Sequence, residues 1–213
     1  MKSFSHILLL SFYLLLTLTS CKKNNDDDKL VTYEFTEEDK KWLIYQPNQI
    51  VSFKKGNDRL QFSVEQIPES SFPGGPSCLT CTFTYEKKSI GTRLRALNDT
   101  ALFIIAFTKT IPPTADPYNP PPASQGYLST EINFFWKNPG STFWYLNNPN
   151  FQGLNQSSFA FESTTINGQV YNKVLKYEQA TFYGMGKIKY FYYDKTGGLL
   201  KFATHDGDEW IRE

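Results

Sequence analysis

The stretch SFAFESTTINGQVYNKVLKYEQ, residues 158 to 179, decides the fold class. Two alternating runs flank Asn167-Gly168, and both of those residues tolerate the positive φ of a tight two-residue turn. The spacing therefore predicts an antiparallel hairpin of Ser158–Ile166 with Gln169–Gln179. The same texture continues on both sides. Lys187–Asp194, Leu199–Thr204 and Glu209–Arg212 are separated by turn residues at 195–198 and at Asp206-Gly207-Asp208, so a meander closes the chain. Upstream, IVSFK and RLQFSVEQ flank KGND, and Leu60, Phe62 and Val64 share one face of the second run.

Leu79–Lys87 alternates as a further strand, with Ser89–Leu97 following after a turn. Ala101–Phe107 is nearly continuous in apolar residues and predicts a central strand buried on both faces. Tyr127–Lys137 predicts another strand and Thr142–Leu146 a short aromatic one, before an Asn-rich loop. Pro68–Pro76 reads as a loop. IPPTADPYNPPPASQG, residues 111–126, holds six of the twelve prolines and reads as a semi-rigid excursion. Val31–Phe35 makes a short first strand, and Thr36-Glu37-Glu38-Asp39 opens a helical turn with a hydroxyl cap and acids in its first turn. The sum is an all-β chain, either an antiparallel β-sandwich or a curled, partly open barrel. One short N-terminal helical turn and one long Pro-rich loop interrupt it. Its 18 Phe, 13 Tyr and 4 Trp suit strands and large buried contacts.

The N-terminus carries an address. Ile7–Leu18 is apolar but shorter than the roughly 20 residues that span a bilayer, so residues 1–20 read as a secretory signal. Leu18-Thr19-Ser20-Cys21 resembles the lipobox of bacterial lipoproteins, which implies cleavage before Cys21 and acylation of that residue. Residues 21–30 then form a charged tether, KKNNDDDK after the cysteine, and 31–213 one β-rich domain. Asp26, Asp27 and Asp28 resemble the export signal of Bacteroidetes-type surface lipoproteins. That resemblance implies an outer-membrane protein, lipid-anchored and displayed at the cell surface, with the periplasmic leaflet as the alternative. Tyr183-Gly184-Met185-Gly186-Lys187-Ile188-Lys189-Tyr190 with Trp210, and Trp42-Leu43-Ile44-Tyr45, resemble the same group of lipoproteins and imply no particular activity.

Without residues 1–20, basic and acidic side chains balance at 21 each. Such a balance argues against nucleic acid as a partner, because phosphate neutralisation needs a basic face. With His6 in the leader, only His205 remains, so two-histidine zinc sites are excluded and no cofactor or metal is expected. The Cys78-Leu79-Thr80-Cys81 pair admits three readings: a local disulfide or packed thiols, a redox pair, or half a metal site. The absence of a helical setting and of a second Cys pair favours the first. Asp99-Thr100-Ala101 resembles the short O-glycosylation sequon of Bacteroidetes exported proteins and makes Thr100 an acceptor candidate.

Glu65, Glu69, Glu131, Glu162 and Glu178 supply carboxylates, but no spacing singles out an acid pair. The aromatics around residues 134–145 divide between core and a ligand-contacting rim, with Trp136, Trp144 and Tyr145 as rim candidates. The functional expectation is a non-catalytic binding role at the envelope, for a glycan, an apolar small molecule or an envelope protein. A carboxylate-dependent hydrolase and a structural envelope component are the alternatives.

Overall fold

A computed structural model describes residues 30–76, 83–137, 144–179 and 188–213. In chain order the elements are β1 (Val31–Thr32), α1 (Glu37–Lys40), β2 (Ile50–Lys55), β3 (Asp58–Gly74), β4 (Tyr85–Ala96) and β5 (Leu102–Thr110). After a 3-10 turn at Ala123–Gln125 come β6 (Tyr127–Lys137), β7 (Trp144–Asn147), β8 (Asn150–Gln152), β9 (Glu162–Ile166), β10 (Gln169–Glu178), β11 (Ile188–Asp194), β12 (Gly198–Thr204) and β13 (Glu209–Arg212). They join in one sheet ordered β7-β6-β5-β4-β3-β2-β13-β12-β11-β10-β9. Every pairing along that path is antiparallel. Off it, β8 runs antiparallel beside β6 and β1 parallel beside β4.

This is one curled, open sheet that forms a half-barrel. The barrel alternative therefore holds and the two-sheet sandwich does not. The reason lies in the side chains of the concave face. Phe53, Phe62, Phe103, Phe134 and Phe202 come from five different strands, and each is fully buried. The Phe103 and Phe202 ring centroids stand 5.3 Å apart although β5 and β12 are five strands apart along the sheet. Only a sheet rolled around its own aromatic face brings them together. Trp210 stacks on Phe202 and Phe134 lies 4.3 Å from Phe103, which continues the column. Where hydrogen bonding stops between β8 and β11, Phe151 and Phe191 meet edge to face.

One end of the half-barrel is plugged by residues 33–45. Thr36 caps α1: its hydroxyl accepts from the Asp39 amide while the Asp39 carboxylate accepts from the Thr36 amide. The same carboxylate receives Lys109 Nζ at 2.6 Å, and both side chains are almost completely buried. Trp42 stacks on Tyr193 and Phe161, and its carbonyl accepts from the Tyr193 hydroxyl at 2.6 Å. The Tyr45 hydroxyl accepts from the Leu199 amide. Gly198 sits against that ring with φ +67, and a Cβ there would lie 2.5 Å from the Tyr45 hydroxyl, so glycine is required on two counts. Tyr33 is wholly enclosed and donates to Pro121 of the Pro-rich excursion. Burial first, and the neighbouring Tyr85 second, push its hydroxyl up to about 12.

Three expectations need correction. Pro68–Pro76 is not simply a loop, because β3 runs through it to Gly74 and pairs with β4. Pro68 is accommodated because the ladder is broken between Ile67 and Ser70, a bulge where no amide is demanded of it. β4 likewise runs without a turn from Tyr85 to Ala96. Finally, β5 is not buried on both faces. Phe103, Ile105 and Phe107 are enclosed, whereas Leu102, Ile104 and Ala106 are half-buried on the convex side. The Asn167-Gly168 turn forms as the sequence implies, with φ of 50° and 79°.

Candidate functional site

The concave face is filled by its own rings, so ligand chemistry has to be sought on the convex face. On β11, alternation sends Phe191 and Tyr193 inward and Tyr190 and Tyr192 outward. Register places Tyr192, Lys201 and Ile211 side by side across three strands. Tyr190 and Glu209 flank the small Ala203 in the adjoining row. Lys201 Nζ stands 4.8 Å from the Tyr192 ring centroid and 5.4 Å from that of Tyr190, over two rings set edge to face. The Tyr190 hydroxyl donates to the Glu209 carboxylate, which lies 4.0 Å from Lys201.

Burial among those rings lowers the Lys201 pKa, and the charge of Lys176 adds to the effect. The charged lysine is thus disfavoured in the folded chain, and stability on this account rises with pH as the group deprotonates ahead of its unfolded counterpart.

The β9–β10 hairpin forms one wall. β10 pairs with β11 over Leu175–Glu178 and with β9 over Gln169–Val174, and within the second pairing Lys173, whose φ is +58, forms a bulge. The hairpin thereby buries Ile166 and Val174 with Leu200 in a satellite cluster, against which Tyr171, Tyr192 and Ile211 pack. The sequence reading did not single out this constellation. Its signal was present as the repeated tyrosines of YFYYD, but only the sheet register adds Lys201 and Glu209.

The residues named from sequence are dispersed. Trp136 is buried edge to face against Phe134, so it belongs to the core side of the division drawn above. The backbones of Trp144 and Tyr145 pair with β6, and their side chains lie outside the description. Cys21, Asp26, Asp27, Asp28, Cys78 and Cys81 also fall outside the described residues. Thr100 is exposed in the bend between β4 and β5, with its amide held by the Asp99 carboxylate. His205 is half-buried in the turn between β12 and β13.

Glu65, Glu69 and Glu131 have separate neighbours, whereas Glu162 and Glu178 both act on Lys176. Glu65 bonds Arg93 and Arg95, Glu69 bonds Lys88, Glu131 accepts from Asn133 and Glu178 bonds Lys176. The basic partners hold Glu65 and Glu178 below the usual carboxylate range. Among the described residues no group of three or more His, Cys, Asp or Glu is placed to hold a metal ion. No described helix is long and apolar enough to cross a membrane.

A second surface lies at the far end of the β3–β4 ribbon. Phe72, Phe83 and Tyr118 are exposed there, the last two by more than 60%. Comparison with family models, curated proteins and solved structures gives no match for this chain.

Proposed function

We propose that this is a lipid-anchored cell-envelope protein, acylated at Cys21 and displayed at the cell surface, whose β domain binds a glycan without catalysing its conversion. The order of apolar run, small residues, cysteine and charged tether supports the anchor. Several acyl chains on one residue would hold a soluble domain at a membrane where a single chain is marginal. The observation that carries the binding role is Lys201 poised over Tyr190 and Tyr192. Aromatic rings offer a sugar an apolar platform, and the lysine and Glu209 offer it charged hydrogen-bonding groups. Lys201 and the neighbouring charge of Lys176 on this face favour a saccharide that bears a carboxylate.

Two experiments test this reading. Replacement Cys21→Ala should move the protein from the membrane to the soluble fraction, and unchanged retention of the variant would refute the anchor. Calorimetric titration against a panel of neutral and uronate-containing oligosaccharides should find binding by the wild-type chain. In Lys201→Met the affinity for an acidic ligand should fall about tenfold, the scale of one charge-assisted hydrogen bond. Equal affinity in both proteins would place the glycan elsewhere or remove it.

A further inference from the structure

The exposed aromatics at the end of the β3–β4 ribbon meet the start of the folded chain. The Val31 amide donates to the Thr84 carbonyl, and the Thr84 amide to that of Gly74. The Thr84 hydroxyl donates to Pro117 at 2.5 Å. Leu30, Phe72, Phe83 and Tyr118 each lie within two residues of one of these bonded groups, and all four are exposed. Phe72 also lines a groove of about 410 Å³ with Pro73, Lys87, Ser89 and Thr108. The patch is apolar rather than basic. Lys88 is neutralised by Glu34 and Glu69, Asp116 caps the Tyr118 amide, and Lys87 stands beside Phe72 in register.

We infer that this corner is a membrane-docking surface, with Leu30, Phe72, Phe83 and Tyr118 seated in the interfacial region of the bilayer that holds Cys21. The inference rests on acylation of Cys21. Eight residues separate that cysteine from Leu30, and fully extended they span about 28 Å. Of the described chain, the corner is therefore the part closest to the anchor. The opposite end of β4, at the exposed Leu97, lies about 40 Å away along the strand, beyond the reach of the tether. Aromatic side chains partition at the level of lipid headgroups, where one part of the ring system is apolar and its surroundings are wet. Tethering makes this contact intramolecular, so a few rings suffice where they would not hold a free protein. The balanced charge indicates a lipid surface recognised by its apolar interface rather than by anionic headgroups.

The test uses the full acylated chain in phosphatidylcholine vesicles with brominated acyl chains, which quench nearby tryptophan. Phe83→Trp and Leu97→Trp place a probe at each end of β4, both at exposed positions. After subtraction of the wild-type signal from its four native tryptophans, the Phe83→Trp probe should lose about twofold in emission in brominated against unbrominated vesicles and shift to the blue, as an interfacial indole does. The Leu97→Trp probe should do neither. Raising salt to about 0.5 M should leave the difference intact, since the contact is apolar. If wild type fails to float with the vesicles, the anchor reading falls and this inference with it. If wild type floats but the two probes behave alike, the docking surface alone is refuted. A blue shift at Phe83→Trp that requires high protein concentration and brings no quenching would assign the patch to a second copy of the chain instead.

Discussion

Replacing Phe202 by alanine should destabilise the domain by about 3–5 kcal/mol, the range for truncating a buried phenylalanine to alanine. Phe202 is fully buried and touches rings from four other strands: Phe53, Phe103, Phe134 and Trp210. These rings reach Phe202 from β2, β5, β6 and β13, so the cavity would open at the axis of the half-barrel. Neighbours anchored in separate strands collapse poorly into such a space, which places the cost toward the upper end of that range. Chemical denaturation followed by fluorescence measures it, with the midpoint falling at unchanged slope. A loss under 1 kcal/mol would mean that the rings do not converge on one column.

Lys109→Met should cost a similar amount for a different reason. Among the described residues the lysine is the cationic partner of the buried Asp39 carboxylate, at 2.6 Å. Removing it strands an ion that, among the described residues, retains the Thr36 amide, and breaking one partner of a buried pair typically costs about 3–5 kcal/mol. The paired change Asp39→Leu with Lys109→Met is the informative control. It removes the stranded charge as well, so it should recover much of the loss, although the Asp39 half of the capping box goes with it at about 1 kcal/mol while the Thr36 hydroxyl still caps the helix. Denaturant midpoints of the two variants against wild type decide the matter. Equal loss in the single and double variants would show that shape, rather than charge, holds the plug.

The contrast between these two sites shows what was legible in the residues. Phe62, with Leu60 and Val64, could be assigned to a core face because alternation is a local property of two neighbouring side chains. Asn167-Gly168 was equally local, since two residues carry the whole demand for positive φ. Asp39 and Lys109 were not paired because 70 residues separate them and each has a commonplace local reading, as a first-turn acid and as a strand-end lysine. Pro68 misled for a related reason. A proline argues against a strand unless the ladder is interrupted there, and the interruption depends on what β4 offers opposite. The choice between sandwich and half-barrel was likewise undetermined, because curling is decided by which rings from distant strands can share one column. For the candidate site, YFYYD showed where tyrosines face outward, but register alone supplied the lysine between them.

If the protein is anchored as proposed, the change of partner in β10 bears on life in a crowded surface. Chains held by lipid move in two dimensions, where copies of one protein meet often and in similar orientation. A long straight edge strand would then be a template for joining sheets end to end. Here the last strand at that side is β9, five residues long, reading ESTTI and largely solvated. The kink at Lys173 turns it off the line of its neighbours. Each copy thus ends this side of its sheet in a short, polar strand next to a bulge, and under the proposed anchor close company on the membrane need not become fusion into a fibre.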